Sequence, residues 1–241
     1  MTDARPTQHR LVSGLLTSPH EPALLGLVAV MAVGLFGVGE AALALRVLLL
    51  SLPLVAAMRW CAWDHPSRWR GRVIGAYLTT LGLYRAVQWV TPALGLSLAD
   101  AQLLAADRWL FGETPALVWN APSGLCAELW SAAYFSYHLY LHGALLAALV
   151  GTADAARRLS ALLFAAFAVG IAGYLLVPAV GPAAFMGVAP VVAGPVTAFN
   201  AAFTASGSST YDVFPSLHTL ITGVLLWSHA RSHPRAAFLI T

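Results

Sequence analysis

Lysine is absent from this chain of 241 residues; all thirteen of its Lys and Arg positions are arginine. With the many alanines, that reads as coding bias, but it excludes any motif that needs a lysine. Charge of either sign is scarce, at 10% of residues against roughly 25% in an average soluble domain. Hydrophobic residues make up 59%, which is a membrane composition. No basic stripe lies outside the loops between apolar runs, so nucleic acid is excluded as a partner. The only two cysteines, Cys61 and Cys126, are too far apart for a disulfide framework or a cysteine metal site. No histidines and carboxylates cluster at ligand spacing, and neither a metal nor another cofactor is expected. The first 22 residues are polar and carry Pro6, Pro19 and Pro22, unlike a cleaved signal peptide. Residues 1–20 are expected to form a flexible cytoplasmic tail, and residues 21–241 a single membrane-embedded domain.

What is present is a series of apolar runs. A membrane-spanning helix needs about 20 mostly apolar residues, with ~17 as a lower limit. Six runs approach that length: Ala23–Gly39, Ala41–Met58, Val73–Val90, Leu125–Val150, Leu159–Val177 and one from Pro215 to about Ser228. Ala236–Thr241 reads as the opening of a seventh. The predicted fold is all-α, a polytopic membrane helical bundle with six transmembrane helices plus the start of a seventh. Only Glu40 separates the first two runs, which predicts a tight hairpin eased by Gly34, Gly37 and Gly39.

The arginines orient the bundle. Arg5, Arg10, Arg59, Arg68, Arg70, Arg72, Arg157, Arg158, Arg231 and Arg235 fall on one side, and only Arg108 on the other. By the positive-inside rule the N-terminus is cytoplasmic, and residues 91–124 and 178–213 share the outer face. The first of these segments places Asp100, Asp107, Arg108 and Glu113 among Leu103, Leu104, Leu110 and Phe111. It reads either as an amphipathic helix in the interface, anchored by Trp109 and Trp119, or as a plain loop. The second is rich in Gly, Pro, Ser and Ala and reads as a lid or wall over a site.

At the outer end of the sixth run stands Phe214-Pro215-Ser216-Leu217-His218. Pro215 suits the first turn of a helix, because the amide it lacks has no helical partner there. Amides at such a helix start, near Ser216, Leu217 and His218, can cradle a phosphate. An imidazole with an ordinary pKa near ~6.5 can hand a proton to a departing alkoxide. Alternatively, Ser216 only caps a helix and His218 is an ordinary interfacial histidine. Within the third run, Arg85 sits on the same side of the bilayer, where it either neutralises a phosphate oxygen or pairs with Glu128. Tyr134, His138 and Leu141 share a helical face, with Tyr137 and His142 nearby. His138 is either a buried core histidine or part of a substrate pocket.

These residues resemble a known family. Phe214-Pro215-Ser216-Leu217-His218, with Tyr174-Leu175-Leu176-Val177-Pro178 and Gly181-Pro182 before it, looks like the type-2 phosphatidic acid phosphatase superfamily. Asp107-Arg108-Trp109-Leu110-Phe111-Gly112 and Tyr134-Phe135-Ser136-Tyr137-His138 are similar to the branch of fungal inositol-phosphorylceramide synthase and its bacterial relatives. The likeness spans roughly residues 75–235. It implies an inositolphosphotransferase-like enzyme of a bacterial plasma membrane, acting at the outer face on membrane lipids with phosphorylated head groups. His218 would be the general acid of a phosphohistidine mechanism. Ser216, Leu217 and Arg85 would bind the phosphoryl oxygens, and Gly181, Pro182, Tyr174, Tyr134 and His138 would line the pocket.

Two departures accompany the resemblance. The superfamily's usual first motif, a Lys followed by an Arg-Pro pair, cannot exist here, and Arg85 stands in for it. The nucleophilic histidine belongs to a later His-x-x-x-Asp motif, for which His229 and His233 are poor replacements. It is expected beyond Thr241, in a sequence truncated at that point. A lipid phosphate phosphatase and a non-catalytic membrane protein are the alternative readings.

Overall fold

The computed structural model describes residues 18–61, 65–115, 124–187 and 192–232, and among these the regular structure is helical. The chain begins with α1 (His20–Gly37), turns at Gly39 with φ at 85°, and continues in α2 (Ala41–Leu49) and α3 (Leu52–Trp60). The expected hairpin is present. Its second arm, however, breaks at Leu50–Ser51, because Pro53 lacks the amide that would bond the Leu49 carbonyl. The Leu50 carbonyl is instead satisfied by the Thr79 hydroxyl at 2.9 Å.

Thr79 belongs to α4 (Trp69–Ala93), which packs along α3 through small residues. A Cβ on Gly75 would stand 2.6 Å from the Pro53 carbonyl oxygen. There follow α5 (Asp100–Phe111), stopped by Gly112 at φ 78°, then α6 (Leu125–Val150) and α7 (Ala153–Leu176). The expected loop at Arg157 and Arg158 is in fact the first two turns of α7, started by Thr152, whose hydroxyl caps the Ala155 amide at 3.3 Å. The short α8 (Pro182–Phe185) leads to α9 (Pro195–Gly207) and α10 (Leu217–Ser232).

Helix α7 is the hub, packed against α1, α4, α6 and α10. Leu24, Met31 and Leu35 of α1, Leu83 and Val87 of α4, Phe164 and Ile171 of α7, and Ile221 of α10 meet in one core. The tail expected over residues 1–20 lies outside the described residues as far as 17. Its last residues are not free: Ser18 and His20 are buried, and His20 packs on Phe164 with ring centroids 5.5 Å apart. Arg72, expected in a solvated loop, is buried as well. It binds Glu21 bidentately, Nε to Oε1 at 2.7 Å and Nη2 to Oε2 at 2.5 Å.

Four segments among the described residues are long and apolar enough to cross a membrane: His20–Gly37, Ala41–Trp60, Leu125–Val150 and Ala153–Leu176. The other two expected spans are marked less clearly. Helix α4 has the length but carries Arg70, Arg72 and Arg85, and α10 is described over only 16 residues. The run 236–241 lies outside the described residues. Val30, Val33, Leu139, Leu146 and Val169 point outward from the bundle. Such a continuous apolar exterior suits hydrocarbon and not water. This is a membrane protein.

Candidate active site

The geometry begins with two glycines of α7. Gly170 and Gly173 lie one turn apart and face the chain that enters α10. A Cβ on Gly173 would collide with the Pro215 ring, and one on Gly170 with the Leu217 side chain. Their bareness lets residues 215–217 lie directly on the central helix. The helix starts at Leu217 and not at Pro215 as the sequence suggested. Pro215 precedes it, joined to Phe214 by a cis peptide bond.

Ser216 is therefore the N-cap. Its Oγ accepts the Thr219 amide at 3.3 Å and the Thr219 hydroxyl at 3.1 Å. The capping role is real, and it still permits a phosphate role, because an oxygen that accepts twice keeps its own proton to donate. Ser216 is exposed. Leu217 and Tyr174 both lie beneath the surface. The His218 amide, second in the helix, has no intrahelical partner.

The His218 ring sits between two tyrosines of α6. Tyr134 stacks on it at 4.4 Å between centroids, and Tyr137 approaches to 4.1 Å from another side. His138 meets its edge at 5.9 Å. Nε2 of His218 is enclosed and has no hydrogen-bond partner among the described residues. His138 is only partly buried and packs on Phe135 and Phe203 as well. It stands beside His218 and is not the buried histidine of the core reading.

The Gly-Pro wall reaches the same place. Gly181, at φ 88°, donates its amide to Asp100 Oδ1 at 2.8 Å, and the Val180 amide reaches Oδ2 at 3.0 Å. Asp100 is the buried first residue of α5. A Cβ on Gly181 would stand 3.2 Å from the Val213 side chain, just before the tetrad, and Pro182 opens α8.

The segment expected to be an irregular lid contains a regular helix, α9, held at both ends by charge. Glu128 of α6 accepts the Val196 and Thr197 amides at 2.8 and 2.9 Å. Arg85 of α4 donates from Nη1 to the carbonyls of Gly207 at 2.9 Å and Ser208 at 3.1 Å. An acid at the N-terminus and a base at the C-terminus complement the helix dipole. The expected alternative pairing of Arg85 with Glu128 does not form, since each is engaged at opposite ends of α9.

Two residues of the site are not among those the sequence singles out. Tyr137 reads there only as a neighbour of the Tyr134 face, although helical spacing puts it beside Tyr134. Asp212 carries no motif, and its one signal is to be among only ten carboxylates and to stand six residues before His218. Its Oδ2 accepts the Ser208 hydroxyl at 2.7 Å, the Ser209 amide at 3.0 Å and the Tyr84 hydroxyl.

A family model described as the PAP2 superfamily matches residues 101–241, more than half of the chain and all of the site except Tyr84, Arg85 and Asp100. The chain belongs to the PAP2 superfamily. No curated protein and no solved structure matches it. Superfamily membership supports a phosphatase-type membrane enzyme.

Proposed function

We propose that this PAP2 superfamily member is a lipid phosphotransferase, similar to the inositolphosphotransferases, which moves a phosphorylated head group between a lipid-linked donor and an acceptor. The observation that carries this reading is the start of α10. One exposed turn there brings together a serine hydroxyl free to donate, an unpaired helix amide and an imidazole set in an aromatic wall. Six spans, α1, the α2–α3 pair, α4, α6, α7 and α10, would place the N-terminus in the cytoplasm of a bacterium and the tetrad at the outer face. Helix α5, with Trp109 84% exposed, would lie in the interface.

In this reading Ser216 and the His218 amide hold the phosphoryl oxygens. Arg85 contributes Nη2 and Nε, since its hydrogen bonds to the α9 carbonyls all leave from Nη1. With Nε2 enclosed, His218 delivers its proton from Nδ1 to the leaving oxygen as the P–O bond breaks and the nucleophilic histidine's P–N bond forms. The same nitrogen takes a proton back from the acceptor hydroxyl as its oxygen bonds phosphorus and that P–N bond breaks. The mechanism's phosphohistidine nucleophile is assigned to none of the described residues. Tyr134, His138, Tyr174, Gly181 and Pro182 wall the pocket. A groove of about 570 Å³ between α6, α7 and α10, lined by Ala144, Ala148, Leu159 and Leu225, begins at Thr222 and Tyr140. It lies one turn past His218 and suits an acyl chain.

Purified protein in lipid vesicles, assayed for head-group transfer and for phosphate release, tests the reading. Transfer that slows by roughly 10² to 10⁴ in His218→Ala is expected, the range of general acid catalysis. Rapid phosphate release from many lipid phosphates with no transfer selects a phosphatase instead. Unchanged turnover in His218→Ala removes the role given to that residue.

A further inference from the structure

Tyr84 and Arg85 are neighbours on α4, and both grip the turn that follows α9. Arg85 takes its carbonyls, at Ser206, Gly207 and Ser208. Tyr84 reaches Asp212, and Asp212 takes the turn's hydroxyl and amide, from Ser208 and Ser209. The turn is thereby held through both polarities of its backbone. A second path leads from the same tyrosine to the tetrad. The Tyr84 ring meets the Tyr174 ring edge-on at 6.5 Å, and Gly173, next to Tyr174, lies under the Pro215 ring. Tyr84 thus reaches residues 212–215 from both ends, through Asp212 and through α7.

A carboxylate that served only to shape a local turn would need Ser208 and Ser209 alone. Here the same oxygen also ties the turn to a helix 128 residues away in sequence. Only three residues, Val213 to Pro215, separate Asp212 from the serine that caps α10. We propose that Asp212, anchored by Tyr84, is a positioning residue that fixes the approach of the chain to Ser216 and His218 and so sets the geometry of the phosphoryl site. This inference rests on the function proposed above.

The experiment is a double-mutant cycle with Asp212→Asn and Tyr84→Phe, both nearly isosteric, read by kcat, KM and amide hydrogen exchange over 208–217. Tyr84→Phe leaves the Asp212 carboxylate its bonds from Ser208 and Ser209, so a purely local turn survives it. A positioning role instead predicts faster exchange over 208–217 and a kcat lower by roughly 10- to 100-fold, the scale of an ångström's misplacement. KM should stay within about twofold, because the groups that bind the phosphate remain. The double variant should lose no more than Asp212→Asn alone, since the two residues act through one bond. Wild-type exchange in Tyr84→Phe overturns the proposal, as does undiminished kcat or a double variant whose losses multiply. If the wild type and His218→Ala are equally inactive, the function reading has failed, and the exchange data alone decide whether Asp212 holds the segment. If His218→Ala is dead while Tyr84→Phe is normal, only the present proposal falls.

Discussion

The two ends of α4 use arginine in opposite ways. Arg72 and Arg85 are thirteen residues apart, about 20 Å along the helix axis. At the first end Arg72 and Glu21 bind each other, 1% and 0% exposed, and Arg72 Nη1 adds the Cys61 carbonyl at 3.2 Å. At the other end Arg85 and Asp212 bind a backbone turn instead, and both remain partly exposed. Charges that satisfy each other in the interior brace helices. Charges that hold a loop open toward the surface shape a site. Burial closes Arg72 to a ligand in this arrangement, whereas Arg85 is partly exposed and keeps two nitrogens.

The sharpest way to break that comparison is to remove one partner of the closed pair. Glu21→Ala leaves the Arg72 guanidinium buried against apolar helices, a change that destabilises by about 3–5 kcal/mol. Thermal unfolding in detergent should show a larger loss for it than for any substitution at the glycines of α7 or at the ends of α9. Replacing both residues, as in Glu21→Leu with Arg72→Met, should restore most of the stability, because the pair's attraction roughly offsets its desolvation. Turnover per folded molecule should be unaffected in the double variant. A Glu21→Ala protein that melts like wild type would mean that the pair is no brace.

Next in size is the contact of α7 with the tetrad. Gly173 meets the rigid ring of Pro215, and Gly170 meets the tip of Leu217, which can rotate away. Gly173→Ala should therefore destabilise at the level of core overpacking, about 1–3 kcal/mol, and depress kcat by displacing Ser216. Gly170→Ala should do less of both. Measuring melting temperature and turnover for the two side by side checks the order, and the reverse order would show that Pro215 does not rest on α7.

Much of this arrangement is legible in the sequence, and the part that is not has physical reasons. The bounds of Leu125–Val150 agree in sequence and structure, since Gly124 and Gly151 flank the run and mark its two ends. The tetrad, the Gly-Pro wall and the Tyr134 to His138 face are also readable, because each is a local pattern. Helix α9 is hidden by composition. Gly194 and Pro195 mark a helix start as well as a loop, and the weight of Gly and Pro around them favours the loop. The partners of Arg85, Asp212 and Glu128 are illegible for another reason. Those contacts join segments 68 to 128 residues apart, and no spacing rule reaches that far.

The smallest effect is expected at the other end of α9, where the clamp can be loosened without touching the tetrad. Glu128→Ala uncovers the Val196 and Thr197 amides but leaves the Thr197 hydroxyl on the Ala193 and Gly194 amides, each at 2.9 Å. The helix should stay formed and fray at its first turn. Its first-turn amides should exchange faster, and the melting temperature should fall less than in Gly173→Ala. Gly194→Ala should reproduce the effect from the opposite side, because a Cβ there would stand 2.8–3.1 Å from the Glu128 carboxylate and displace it. Since Arg85 still holds the C-terminal end of α9, kcat should stay near wild type in both variants. A large loss of kcat in Glu128→Ala would extend the site along the whole of α9, and the contrast would then lie between α4 and α6, not between the two ends of α4.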